Sequence, residues 1–277
     1  MDSYVKRRSP MCGLKIAIIV LLLIATGCFI YYKLFYTKPF IFLTNKQTQN
    51  IKPVIKEIKT SEQKPITKEP VQPSFVADYN LPPIQNGMAP VIYTIPTKQN
   101  IVFLGIDDGA FKNQSVIDIL KKNNIKASLF LSKAFISGNP DFFKQITAQG
   151  SFIEDHTIGH DTNMIKNQSY GQQKADICGM ADYEEVHFGR RPTLFRPPGG
   201  AYSDIMRQAA ADCGMKAVVT WIAKANGGAM QYQIGNKLRP GDVVLMHFRP
   251  EFAKDMQAFV DAEKTAGLHT ELIEDAL

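Results

Sequence analysis

Beyond Asn100 the chain alternates short apolar runs of strand character with longer stretches whose apolar residues recur at helical spacing. Ile101–Ile106, Ala127–Leu131, Phe152-Ile153, Thr193–Phe195, Ala217–Trp221 and Val243–His247 read as strands, and a last extended piece begins at Leu268–Thr270. Between them Ser115–Asn123, Pro140–Ala148, Gln168–Phe188, Ser203–Cys213 and Phe252–Ala266 read as helices. In the first of these Val116, Ile119 and Leu120 fall on one face. Six or seven such βα units in series predict parallel strands with helices outside, as a barrel or an open doubly wound sheet. In either architecture function collects where strands end at their C-termini.

The first hundred residues follow a different pattern. Lys6, Arg7, Arg8 and Lys15 precede an uncharged apolar run from Ile16 to Tyr32, and Lys33 and Lys38 follow it. That length is near the lower limit for a bilayer span, and the flanking charge predicts a short N-terminus inside and everything after Lys33 outside. A cleaved signal peptide and a lipoprotein signal ending at Cys28 are the rivals; the apolar run continues past either cut through Phe29-Ile30-Tyr31, which favours an uncleaved anchor. From Thr37 to about Pro96 Lys, Pro, Thr and Gln dominate without period, which predicts an extended stalk, although Phe75 to Tyr93 could instead add a strand to the head. The expected organisation is therefore 1–36 as tip and anchor, 37–96 as stalk and 97–277 as catalytic head, on the outer face of the cell membrane.

Charge follows the same division. The formal net charge is +6, yet residues 1–95 hold 12 Lys+Arg against 5 Asp+Glu and the remainder 20 against 21. The basic surplus thus belongs to the N-terminal arm, and the near-neutral head gives no electrostatic case for a nucleic-acid partner.

Chemistry-bearing residues sit at the predicted strand ends. Asp107-Asp108-Gly109 closes the first apolar run, and Gly109 lets the chain turn so that the two adjacent carboxylates do different work, one for a metal and one for a proton. His156 and His160 follow the third strand at i, i+4, a spacing that brings two imidazoles to one side of a turn and so to one metal. Arg196-Pro197-Pro198-Gly199-Gly200 follows the strand after the long helix, and His247 ends Val243-Val244-Leu245-Met246. The other two histidines, His187 and His269, read as surface or structural residues. Cys178 and Cys213 are the only cysteines of the head; in an outward-facing domain they predict a disulfide, and their spacing fits no metal site.

These segments, in this order, resemble the motifs of the polysaccharide deacetylases, the NodB-homology domain of carbohydrate esterase family four. Gly105–Gly109 resembles the family's Thr-Phe-Asp-Asp-Gly, His156–His160 its His-(Ser/Thr)-x-x-His, Arg196–Gly200 its Arg-x-Pro-x-Gly, and Leu245-Met246-His247 its Leu-x-His. The resemblance covers roughly residues 98–275 and implies a distorted (β/α) barrel of about seven strands. It assigns Asp108, His156 and His160 to a divalent metal, zinc first, with cobalt, nickel or manganese as alternatives. It makes Asp107 the general base, Arg196 its orienting partner, Gly199 a backbone donor to the oxyanion, Trp221 a substrate-side aromatic and His247 the acid for the leaving amine. The substrate implied is an acetylated polysaccharide, peptidoglycan or chitin-like, and the products are acetate and a free amino sugar.

One motif departs from the family. Lys224-Ala225-Asn226-Gly227 stands where Asp-x-x-Asp-Trp is expected, with Trp221 as the only aromatic match, so His247 lacks its usual acidic partner. Asp155, just before His156, reads as a residue that orients a metal ligand or as an extra ligand. The rival functions are an O-acetyl esterase or cyclic-amide hydrolase using the same groups, and a catalytically inactive head that binds wall glycan.

Overall fold

The computed structural model describes residues 75–277. The predicted anchor at 16–32 lies outside the described residues; among those described, no helix is long and apolar enough to cross a membrane.

The elements run β1 (Val91–Ile92), β2 (Ile101–Asp108), α1 (Gln114–Lys122), β3 (Ser128–Leu131), α2 (Lys133–Ile136), α3 (Pro140–Thr147) and β4 (Phe152–Asp155). Then follow α4 (Met164–Asn167), α5 (Tyr170–Phe188), β5 (Leu194–Phe195), α6 (Asp204–Asp212), β6 (Ala217–Val219), β7 (Ala223–Asn226) and β8 (Ala229–Tyr232). The chain ends with β9 (Val243–His247), α7 (Phe252–Ala266), β10 (His269–Glu271) and α8 (Ile273–Ala276). One sheet holds all the strands in the order β1-β6-β5-β4-β3-β2-β9-β7-β8, with β10 also paired to β2. Every pairing is parallel except β7 with β8. The sheet is therefore a half-barrel with free edges at β1 and β8, more open than the seven-stranded barrel expected.

β2 is the centre of this layout because it is buried on both faces, which only a helix-covered parallel strand allows. Val102, Leu104 and Ile106 point outward into a cluster with Val116, Leu120, Met246 and Phe252. Ile101 and Phe103 point inward with Phe130, Leu194, Val219 and Val243. The strand's alternation then carries Gly105 and Asp107 to the inner face. Caps set where the helices begin: the Asn113 side chain accepts the Ser115 N–H at the start of α1, and Asn139 with Pro140 opens α3. Gly189, at φ 74°, ends α5 in the left-handed region that glycine enters without penalty.

Two expectations change and a third holds. The stalk does not reach Pro96: Val91–Ile92 pairs with β6, and Phe75, Tyr79 and Leu81 pack on the inner cluster, because this segment's scattered apolar residues cover the open edge of the sheet. The head accordingly begins upstream of residue 97. The strand expected at Ala217–Trp221 stops at Val219, and the Lys224 region forms an antiparallel hairpin closed by Gly227-Gly228, both at positive φ. Cys178 and Cys213 are paired as expected and fasten α5 to α6; closing a loop of 35 residues is worth about 3–4 kcal/mol in chain entropy.

Candidate active site

The C-terminal ends of β2, β4, β5 and β9 bring the motif residues together. At the end of β2 the Gly109 N–H donates to the Asp107 carbonyl at 3.1 Å, a three-residue turn centred on Asp108, whose φ is 78°. This turn is what separates the two carboxylates. Asp107 stays on the inner face while Asp108 swings toward the histidine loop. A Cβ at Gly109, itself at φ 85°, would collide with Ile136, so the tight turn needs glycine.

Arg196 is fully buried just past β5 and organises Asp107. Its Nη1 donates to Asp107 Oδ1 at 2.6 Å, Nε donates to the Val219 carbonyl at 3.1 Å, and the guanidinium lies 3.9 Å from the Phe130 ring centre. A Cβ at position 105 would strike this guanidinium, so the glycine lets Arg196 lie directly against β2. Burial depresses the Arg196 pKa and the Asp107 carboxylate opposes that, so the pair keeps a buried cation and a buried anion in register.

The histidine loop is strained and heavily tied down. Thr157 and His160 adopt φ of 72° and 56°, a region that non-glycine residues enter at a cost. The Thr157 N–H donates to Asp155 Oδ1 at 2.9 Å, and the His160 N–H donates to Thr157 Oγ1 at 3.0 Å. Asp155 is thus a loop anchor, outside the group of converging ligand atoms. His156 Nδ1–H donates to the Arg196 carbonyl at 2.6 Å; the carbonyl can only accept, so Nδ1 carries a proton and the opposite ring nitrogen, Nε2, is the one turned to Asp108. It lies 3.5 Å from Asp108 Oδ1, and His160 Nε2 lies 2.9 Å from the same oxygen. One ligand atom each from Asp108, His156 and His160 falls within 4.8 Å of the others.

Two imidazole nitrogens and one carboxylate converging at this distance suit a borderline divalent cation, with the rest of its coordination shell open. Burial pushes the Asp108 carboxyl up, but the bonds from His156 and His160 outweigh it and hold the group well below the usual carboxylate range. His247, in register with Asp107 across β2 and β9, faces the same interior. Burial lowers its pKa, with Asp107 and Asp108 partly opposing. Gly199 lies in the tight turn Pro198–Gly200 at φ 72°, and Trp221 stands against Gly200, lining a hollow of about 120 Å³ with Gly199. His187 packs on Tyr183 and His269 lies near Glu271, both away from the motif residues in keeping with their expected roles.

A sequence profile described as polysaccharide deacetylase matches residues 94–218. Residues 94–218 therefore make up a polysaccharide deacetylase domain. Among curated relatives, an uncharacterized protein of Streptomyces coelicolor is 32% identical over 159 residues, 57% of this chain and 63% of its own length. A peptidoglycan-N-acetylglucosamine deacetylase of Bacillus cereus is 28% identical over 166 residues, 57% of this chain and 76% of its own. Among solved structures, a family 4 carbohydrate esterase pseudoenzyme from Bacillus anthracis superposes with a TM-score of 0.57 at 21% identity, covering 67% of this chain and 68% of that one.

Two residues of this polysaccharide deacetylase domain that the sequence pattern does not mark complete the site. Asp176 on α5 accepts the Ile158 and Gly159 N–H groups through one oxygen, both at 3.0 Å, and so clamps the histidine loop to the helix. Lys112 donates to the carbonyls of Gly109 at 2.9 Å and Phe135 at 2.8 Å, joining the Asp108 turn to α2. The Phe135 ring in turn meets the His160 ring edge-on at 5.0 Å. Both act on backbone groups, which every residue supplies, so no spacing of side chains signals them.

Proposed function

We propose that this domain is a divalent-metal-dependent hydrolase that removes N-acetyl groups from a cell-wall glycan. The observation that carries the reading is the buried Asp107–Arg196 pair set directly beside the Asp108, His156 and His160 ligand atoms. A binding module has no use for a second, separately oriented carboxylate at such cost. A divalent cation held by those three residues, zinc in the first instance, supplies Lewis-acid polarisation of the amide carbonyl and acidifies water.

The chain's own groups do the rest. Arg196 fixes one oxygen of Asp107, leaving the other, 3.9 Å from His156 Nε2, to take a proton from the attacking water. In this reading the Gly199 N–H receives the negative charge that develops on the carbonyl oxygen. His247 delivers a proton to the nitrogen, because an amine cannot leave as its anion. The C–N bond breaks, hydroxyl stays with the acetyl group, and acetate and a free amino sugar result.

The charge pattern around residues 16–32 supports a membrane-anchored protein with this domain outside, and the Cys178–Cys213 pair fits an oxidising compartment. The runner-up is a head that binds glycan without turning it over, favoured by one feature: the carboxylates acting on His247 are those of Asp107 and Asp108, and none from the β7–β8 hairpin supports it. Incubating the protein with N-acetylated chito-oligosaccharides and with peptidoglycan, then measuring acetate before and after chelation, decides between them. Acetate release that chelation stops is expected; binding without acetate would establish the runner-up.

A further inference from the structure

Two adjoining hollows, of about 120 and 200 Å³, share Trp221 and Gln233 as a common wall. The first reaches Gly199 in the candidate active site; the second runs along the hairpin and is lined by Lys224, Gln231 and Tyr232. Strand alternation fixes what β7 offers it. Ala223 and Ala225 are buried in the outer cluster with Val244 and Met246, so Lys224 turns to the opposite face, the one that carries Leu245 and His247. Lys224 pairs with Leu245, two residues before His247, which puts its strand position roughly 7 Å from that of the candidate acid.

A half-buried lysine beside a catalytic site ordinarily has a carboxylate partner. Among the described residues Lys224 forms no ion pair. Around it stand two amide side chains, those of Gln231 on the same face of the hairpin and Gln233, together with Trp221, the mixture of flat apolar surface and hydrogen-bonding groups that a pyranose ring needs. Gln233 is already held in place, its Nε2 donating to the Trp221 carbonyl at 2.9 Å. The hollow is therefore open, continuous with the site, suited to a sugar and positively charged on one side.

We infer that this hollow binds a sugar residue bearing a carboxylate, adjoining the N-acetylated residue that is hydrolysed, with Lys224 pairing to the carboxylate and Trp221 against the ring. The inference rests on the deacetylase reading for the position of the glycan, and it narrows the substrate to anionic N-acetylated glycans over neutral ones.

Trp221 is the only tryptophan of the chain, so its fluorescence reports binding at this place without any need for turnover. The full chain is titrated with two N-acetylated oligosaccharides of equal length, one neutral and one with a carboxylate on alternate sugars. The anionic glycan should bind about tenfold more tightly at low salt, the size of effect a partly desolvated charged hydrogen bond gives, and the preference should shrink as salt rises. Lys224→Gln should reduce the preference to about twofold or less, and Lys224→Arg should keep it. Equal affinities in the native chain, no fluorescence response to either glycan, or an undiminished preference in Lys224→Gln would each overturn the inference. Acetate measured on the same two glycans separates the two readings: a preference without acetate from either glycan leaves the hollow's assignment standing and removes the hydrolase, whereas acetate from both without a preference does the reverse.

Discussion

Two sets of carboxylates are buried in the half-barrel, and they are kept in opposite states. At the C-terminal end Asp107 has Arg196, and Asp108 has two imidazoles that hold it ionised against the cost of burial. Toward the N-terminal end Glu274 bonds only Ser128, the first residue of β3, and burial together with the charge of Glu154 pushes it up to about 8. Between β4 and α5, Glu184 and one oxygen of Asp155 have no hydrogen-bond partner, and burial raises both well above the carboxylate range, with Asp176 and Glu154 adding at Asp155 and Asp155 and Glu154 adding at Glu184. Asp107, Asp155 and Glu184 are almost fully shielded from water, while Asp108 and Glu274 are both more open and yet stand in opposite states. The supply of partners, and not depth, decides which ones carry charge. The set that is given cations and donors is the set where chemistry is expected.

The sharpest way to break this contrast is to neutralise one charged carboxylate at a time. Asp107→Asn is nearly isosteric but cannot take a proton, so activity should fall by about 10²–10⁴ with bound metal unchanged. Asp108→Ala should lose the metal and the activity together. Metal content by atomic absorption, set beside acetate release, checks both. A residual activity above about a tenth in Asp107→Asn would remove it as the base.

Removing the cation tests the same pair from the other side. Arg196→Met leaves Asp107 buried without its partner, a change that costs about 3–5 kcal/mol at comparable sites and should appear as a lower urea midpoint. An unchanged midpoint would mean that Asp107 carries no buried charge. Combining Arg196→Met with Asp107→Asn should recover part of the loss, since the two residues share one interaction.

A smaller effect is expected at Asp176, which touches the strained loop and none of the reacting groups. Asp176→Ala frees two N–H groups and lets the His156–His160 turn relax, and partners of this kind typically cost 10–100-fold in metal affinity. Competition with a chromophoric chelator measures it. Asp176→Asn, which keeps an accepting oxygen, should recover most of the affinity; equal loss in both variants would make the role one of charge alone.

The sequence showed the strands that carry the site because each is an apolar run that stops abruptly at a charged or histidine residue. It showed the disulfide because only two cysteines lie in the head. It left β1 as the alternative to a stalk over Phe75 to Tyr93, because Val91-Ile92 is a β-prone run too short to read as a strand without its pairing to β6. The β7–β8 hairpin did leave a trace, since Gly227-Gly228 is a strong turn signal, but Ala-Lys-Ala-Asn alternates too weakly to read as a strand. Asp176 lies sixteen residues from His160 and Lys112 bonds carbonyls from two elements, relations that exist only after folding. The departure at Lys224 was visible as a mismatch to a motif; that it lines a hollow on the His247 face required the register of β7 against β9.

The least disruptive test concerns the uncharged set. Glu274 has a folded pKa of about 8 against an ordinary value of 4.5, so the folded state holds its proton more tightly than the unfolded chain does. The sign follows from linkage: below the ordinary value both states are protonated and the burial costs nothing extra, and as pH rises toward 8 the unfolded chain gains by ionising, so stability falls. Glu274→Gln keeps the shape and the bond to Ser128 but cannot ionise. At pH 5 the variant and the native protein should unfold within about 1 kcal/mol of one another, as near-isosteric replacements do. At pH 8 the variant should be the more stable, by something on the order of 1–3 kcal/mol once the coupling to Glu154 is allowed for. Asp155 and Glu184 contribute the same slope to both proteins and drop out of the difference. Denaturant midpoints at the two pH values are sufficient, and a difference that does not grow with pH would show that Glu274 is ionised in the folded protein, which would end the contrast between the two sets.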